Sequence, residues 1–191
     1  YTNFNISYSA SYDNSTAPLR RSTGNIDDFR IYNKVLSATE IYYLANKMII
    51  NTEYKTLAFT YKNNIPAIDA DSTNLIAHYK FKNNYNPGFD STDNENHLTT
   101  KIGTPEISTT QSIYGRSLSL FNSSLETNTF TLHNKPFSIA VWIYRTTNSS
   151  QYLLTQRLAD VTNQNLHIVH MTSNKWRFGF YSNDLDSAVA Y

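Results

Sequence analysis

The chain has 191 residues, of which 40% are hydrophobic and 14% aromatic, with a formal net charge of +1 and no cysteine. That length suits one sandwich of ordinary size or parts of two. A near-neutral charge with no basic block excludes the footprint of a nucleic-acid binder, the lack of any apolar run near about 18 residues excludes a helical membrane span, and zero Cys excludes a disulfide framework, a thiol nucleophile and a thiolate metal site.

The first element is a short alternating run at Ile6-Ser-Tyr8, followed by a loop at Asp13-Asn14-Ser15 and Pro18. Ile26, Phe29 and Ile31 then supply the β-branched and aromatic bulk of a strand over Ile26–Tyr32, with imperfect alternation at Asp27-Asp28. Ser37 followed by Glu40 forms a capping box, each side chain satisfying a backbone donor at a helix start. The helix is expected over about 38–47, with Ile41, Leu44 and Ala45 as one apolar stripe. Residues 49–73 read as a connection with one extended piece, Tyr54–Tyr61.

Leu75-Ile-Ala-His-Tyr-Lys-Phe81 alternates cleanly, with Leu75, Ala77, Tyr79 and Phe81 on one face. A polar loop follows from Asn83 to Asn96. Further strands are expected at Leu98–Ile102, Ser117–Phe121, Phe130–Leu132, Phe137–Tyr144, Tyr152–Thr155, Leu166–Met171 and Lys175–Tyr181. In the strongest of them Phe137, Ile139, Val141 and Ile143 form the core face, which puts Trp142 and Tyr144 on the other. Many short strands at this spacing indicate an all-β sandwich or jelly roll. Charged residues are only 16% of the chain and glycines number five. Surface polarity therefore falls to Asn, Ser and Thr, and turns with positive φ fall to Asn.

Three segments together resemble laminin-G-like, concanavalin-A-like jelly-roll domains. Leu75–Asn84 followed by Asp90-Ser-Thr-Asp-Asn-Glu-Asn-His-Leu98 is similar to the family's opening strand and Asp-rich loop. Tyr114–Asn122 resembles its second signature, and Phe137-Ser-Ile-Ala-Val-Trp-Ile-Tyr144 its Phe-Thr-Ile-x-x-Trp-Val strand. Gly24–Ile41 resembles the closing strand, turn and capped helix, which in the family come last. The resemblance implies an all-β, concanavalin A-like jelly-roll sandwich with one short helix. The order of its parts implies that 1–48 closes one repeat, 49–73 links, and 75–191 is the front of a second repeat, a fragment of a tandem array. It also implies that the strand Ile26–Tyr32 docks onto strands from 75–191.

The chemistry is sparse. Neither His-Glu-x-x-His nor Gly-x-Ser-x-Gly occurs. The Glu-x-Asp-x-x-Glu of related glucanases is absent, Asp184-Leu-Asp186 being the nearest pattern. His167-x-x-His170 is a poor chelator, because positions three apart on a strand point to opposite faces. Four N-glycosylation patterns occur, at Asn5, Asn14, Asn122 and Asn148, in a composition where chance produces them. The family's closing motif and opening loop approach each other, which makes Asp27, Asp28, Asp90 and Asp93 candidate calcium ligands. An ordinary Asx-rich turn is the competing account, and Lys82, Glu95 and Asn96 depart from the family's calcium loop.

Candidate ligand-binding residues are Trp142, Tyr144, Tyr181, Asn183 and Asp184, since aromatic planes stack on sugar faces and amides and carboxylates take hydroxyls. The expected function is a non-catalytic recognition module for a glycan or a cell-surface glycoprotein. It would be extracellular or on a cell or virion surface, beside neighbouring domains of one parent chain. The alternative is a structural repeat of an adhesin or virion surface protein, and a glucanase relative stands third.

Overall fold

The strand built on Ile26, Phe29 and Ile31 lies at the middle of one of two antiparallel sheets. The computed structural model describes residues 3–7, 22–42, 44–45, 74–113, 115–157, 163, 165–180 and 182–188. Among them are twelve strands: β1 (Phe4–Ile6), β2 (Gly24–Tyr32), β3 (Leu75–Tyr79), β4 (Thr100–Ile102), β5 (Glu106–Ser108), β6 (Ser117–Leu120), β7 (Ser124–Thr127), β8 (Ser138–Arg145), β9 (Gln151–Arg157), β10 (Asn165–His170), β11 (Trp176–Phe180) and β12 (Asp184–Asp186). A short helix, α1, includes residues 38–42 and 44–45.

The larger sheet has seven strands in the order β12-β11-β10-β9-β1-β7-β4. In the five-stranded sheet β8 runs along one edge of β2, while β6 and β3 pair with successive halves of its other edge and β5 flanks β6. The chain is an all-β sandwich of two antiparallel sheets. Ile26–Tyr32 therefore does pair with strands from beyond residue 75, and β1 lies between β7 and β9. The segments on either side of 46–73 share both sheets.

Alternation decides what faces inward. Phe4, Ile6, Leu125, Leu154 and Leu166 from the larger sheet meet Ile26, Phe29, Ile31, Ala77, Tyr79, Leu118 and Leu120 from the smaller. Phe29 stands edge-on to Phe4 at 6.2 Å, an arrangement that suits the ring quadrupoles. Phe137, Ile139, Val141 and Ile143 pack against this core, as their alternation requires. In β9 a register shift lets neighbouring Leu153 and Leu154 both join the core, where strict alternation would expose one.

The capping box forms. Ser37 Oγ accepts the Glu40 N–H (3.3 Å), and Glu40 Oε2 accepts the Ser37 N–H (2.8 Å). Lys34 donates to Glu40 Oε1, and this bond, with those from Ser37, draws the Glu40 carboxyl down to about 2. The apolar stripe of α1 differs from expectation, because Ile41 is 55% exposed. The helix is fixed at its start instead, by buried Leu36 and by the Leu36 N–H donating to Ser138 Oγ.

Phe130–Leu132 is not a strand. Gln156 reaches over it, accepting the Leu132 N–H at Oε1 and donating from Nε2 to Phe130 O, and so replaces a ladder with side-chain bonds. The short polar strands β5, β7 and β12 are present where the alternation gave no warning. The extended piece expected at Tyr54–Tyr61 lies outside the described residues.

Candidate functional site

The first half of the site is a loop that β3 launches. Phe81 follows β3 with φ +50°, a region that bulky residues avoid, and its ring remains buried against Tyr79. This strained residue turns the backbone outward into 82–89. Asn83 Oδ1 then accepts the N–H groups of Tyr85 and Asn86, an Asx turn. Arg116 clamps the same loop, donating to Lys82 O (3.0 Å) and Asn84 Oδ1 (2.9 Å).

The returning chain is fixed as firmly. Gly88 packs so close to Leu98 that a Cβ would lie 2.2 Å from its carbonyl oxygen, and Gly88 O accepts the Leu98 N–H. Phe89 stacks on His97 at 4.8 Å. Alanine at Gly88 should therefore cost about 1–3 kcal/mol by overpacking against immovable backbone. Urea denaturation would show this, and an unchanged midpoint would contradict it.

These elements enclose an open cavity of about 500 Å³ lined by Lys80, Lys82, Tyr85, Asn86, Phe89 and Arg116 among others, with no acidic residue. Tyr85 is 97% exposed at its rim. A bare aromatic ring on a braced loop, with amides and cations around it, is a surface onto which a ligand can stack without reorganisation.

The second half lies on the outer face of the smaller sheet. A bulge in β2 between Asp27 and Arg30 puts Asp28 at φ +50°, which Asp tolerates better than most residues. Its Oδ1 accepts Arg30 Nε–H (3.0 Å) and His78 Nε2–H (2.6 Å), and all three side chains are buried. Burial raises the Asp28 carboxyl, but the bond from His78 and the charge of Arg30 outweigh it and hold Asp28 below its ordinary value. Burial pulls His78 below 6.5 despite the Asp28 bond.

His78 links the opening loop to the closing motif, its ring bonding Asp28 and its backbone N–H donating to Asp90 Oδ1 (2.8 Å). They do not assemble a calcium cage. Asp90 also takes Thr92 N–H, Thr92 Oγ1–H and Asn96 N–H. Asp27 takes the N–H groups of Asp28 and Ile113, and Asp93 is exposed in the loop. Donors occupy the positions a cation would need. Among the described residues no group of three or more His, Asp or Glu is arranged for a metal.

The expected ligand residues fall on opposite faces of the sandwich. Trp142 pairs with Asp27 and half-exposed Tyr144 with Asn25, both on the outer face of the smaller sheet. Asp184 lies on the outer face of the larger sheet, bonded to His167 Nε2 (3.1 Å) and Arg177 Nη1 (3.2 Å) across Gly179, whose missing Cβ leaves the room. Asn183 is exposed and donates to Asn163 Oδ1. Tyr181 and the pattern at Asn14 lie outside the described residues. Asn5 is buried in β1, closed to modification in the folded chain.

The loop cavity was missed in the sequence. Its traces were there, in Lys80, Lys82, Tyr85 and Phe89 spaced through an Asn-rich loop, but Arg116 joins it only through the fold. No family model, no curated protein and no solved structure matches this chain.

Proposed function

We propose that this protein is a non-catalytic carbohydrate-recognition module that binds acidic glycans at the 80–91 loop. The reading includes a laminin-G-like, concanavalin-A-like jelly-roll ancestry and a place at a cell or virion surface beside further domains of one parent. One observation carries it: the braced cavity of about 500 Å³ whose rim holds a bare tyrosine among Lys80, Lys82 and Arg116, with no carboxylate. Aromatic stacking supplies affinity for a sugar face. The cations favour uronic, sialic or sulfated residues over neutral ones.

A glycan array tests this. Competable binding to acidic glycans is expected, weakening with salt. Tyr85→Ala should lower that affinity about tenfold, the size of one lost stacking contact. Silence across acidic glycans, or a Tyr85→Ala variant that binds as well, would overturn the reading.

The exposed Phe178 and Leu185, paired at the β11–β12 edge, favour a second reading. In it the chain is a structural repeat that packs this apolar edge against a neighbouring domain, and no glycan binds.

A further inference from the structure

Composition alone scatters N-glycosylation patterns along this chain, but the fold sorts them. Asn5 is buried in β1, and Asn14 lies outside the described residues. Asn122 is exposed between β6 and β7, yet its pattern runs into β7, where Ser124 is fully buried. Among the described patterns, Asn148-Ser149-Ser150 alone lies wholly in a connection, residues 146–150 between β8 and β9. That is the setting an N-glycan acceptor requires, since a bulky polar chain must leave from a surface loop.

The connection is braced from beneath. Gln151 is 5% exposed, and its Nε2 donates to Thr147 Oγ1 and Ser149 Oγ. Arg145 Nη2 donates to Thr147 O (3.0 Å) and Asn148 Oδ1 (3.1 Å), while its Nη1 donates to Nε2 of buried His170 (2.6 Å). Residues 146–149 nevertheless stay exposed, and Ser150 is half-buried. The two arms of the Asn148 amide are therefore distinct. An arginine only donates, so the arm facing it is the oxygen. The other arm, Nδ2, makes no hydrogen bond among the described residues.

We propose that Asn148 is an N-glycan acceptor, modified at Nδ2 by a transferase that draws on a diphosphate-linked oligosaccharide. Nδ2 attacks the anomeric carbon of the donor sugar. A C–N bond forms as the C–O bond to the diphosphate breaks. The diphosphate leaves with the bonding pair, and Nδ2 gives up one proton. The product amide keeps Oδ1, so the Arg145 bond survives and the glycan projects from a fixed base. This rests on the surface placement proposed above, because the chain must pass a compartment holding the transferase, and not on what the 80–91 loop binds.

Secretion of the full chain from eukaryotic cells behind a cleavable signal imposes that passage, so the outcome reports on Asn148 itself. The peptide carrying Asn148 should bear a glycan that an amidase removes, leaving Asp at that position. Asn148→Gln and Ser150→Ala should each abolish the modification there. Ser150→Thr, which keeps the hydroxyl of the pattern, should retain it. The wild-type peptide map decides the case even where a variant is not secreted. Unmodified Asn148 in that map, or a glycan confined to Asn122, would overturn the proposal.

Discussion

Replacing Phe29 by alanine is expected to lower the unfolding free energy by about 3–5 kcal/mol, the range for emptying a buried aromatic position. Phe29 has no exposed surface, and its ring lies 6.2 Å from both Phe4 and Tyr79. Phe4 belongs to the other sheet, so the cavity would open between the layers, where β2 backbone fixed on both edges prevents collapse. Urea denaturation measures the loss. Ile41→Ala, on the exposed side of α1, should stay within about 0.5 kcal/mol. If the two variants unfold at the same urea concentration, the core is not centred on Phe29.

The second large effect concerns the buried Asp28–Arg30–His78 cluster. Arg30→Met should cost about 3–5 kcal/mol, because it leaves a buried carboxylate without its cation. A triple variant with apolar residues at all three positions should recover most of that loss, since the desolvation of every partner disappears together. Recovery separates an electrostatic cost from a packing cost. A triple variant no more stable than the single one would show that Arg30 acts by filling space.

Two groups of that cluster, His78 and Asp28, together with His170 outside it, set the response to acid. His78 and His170 hold folded pKa values below the 6.5 of an ordinary histidine. On acidification the unfolded chain binds the proton first, so stability present above about pH 6.5 is lost as pH falls through the lower folded values. Asp28, also depressed, adds a further loss at lower pH. Thermal unfolding should thus show a lower Tm at about pH 5.5 than at about pH 7.5. A flat profile would contradict the burial of these histidines as neutral groups.

Much of this architecture was readable from single residues. Alternation in Leu75–Phe81 and Phe137–Tyr144 identified β3 and β8 with their core faces, and Ser37 with Glu40 located the start of α1. The strands Glu-Ile-Ser, Ser-Leu-Glu-Thr and Asp-Leu-Asp were not readable. At three or four residues they carry no periodicity, and they exist because a neighbouring strand pairs with them.

The clusters escaped for a related reason. Asp28 reaches both Arg30 and His78 only after a bulge turns it to positive φ and β2 pairs with β3. Trp142 and Tyr144 were read onto the correct face. Asp184 was read as a ligand-binding residue, and the fold bonds it to His167 across Gly179. The loop 82–89 looked like featureless polarity until Arg116 and Gly88 gave it a fixed shape.

The placement of β1 and β2 inside both sheets has a consequence for how the chain is made. Phe4 pairs with Thr127 and Gln156, and Ile26 with Leu118 and Ile143. A ribosome therefore releases two apolar strands long before their neighbours exist. The smaller sheet cannot be completed until β8 has emerged, nor the larger until β12, so contact order is high and the search for partners is slow. In that interval Phe4, Ile6, Phe29 and Ile31 are bare edges open to wrong pairings, and molecular chaperones rather than local structure would have to shield them.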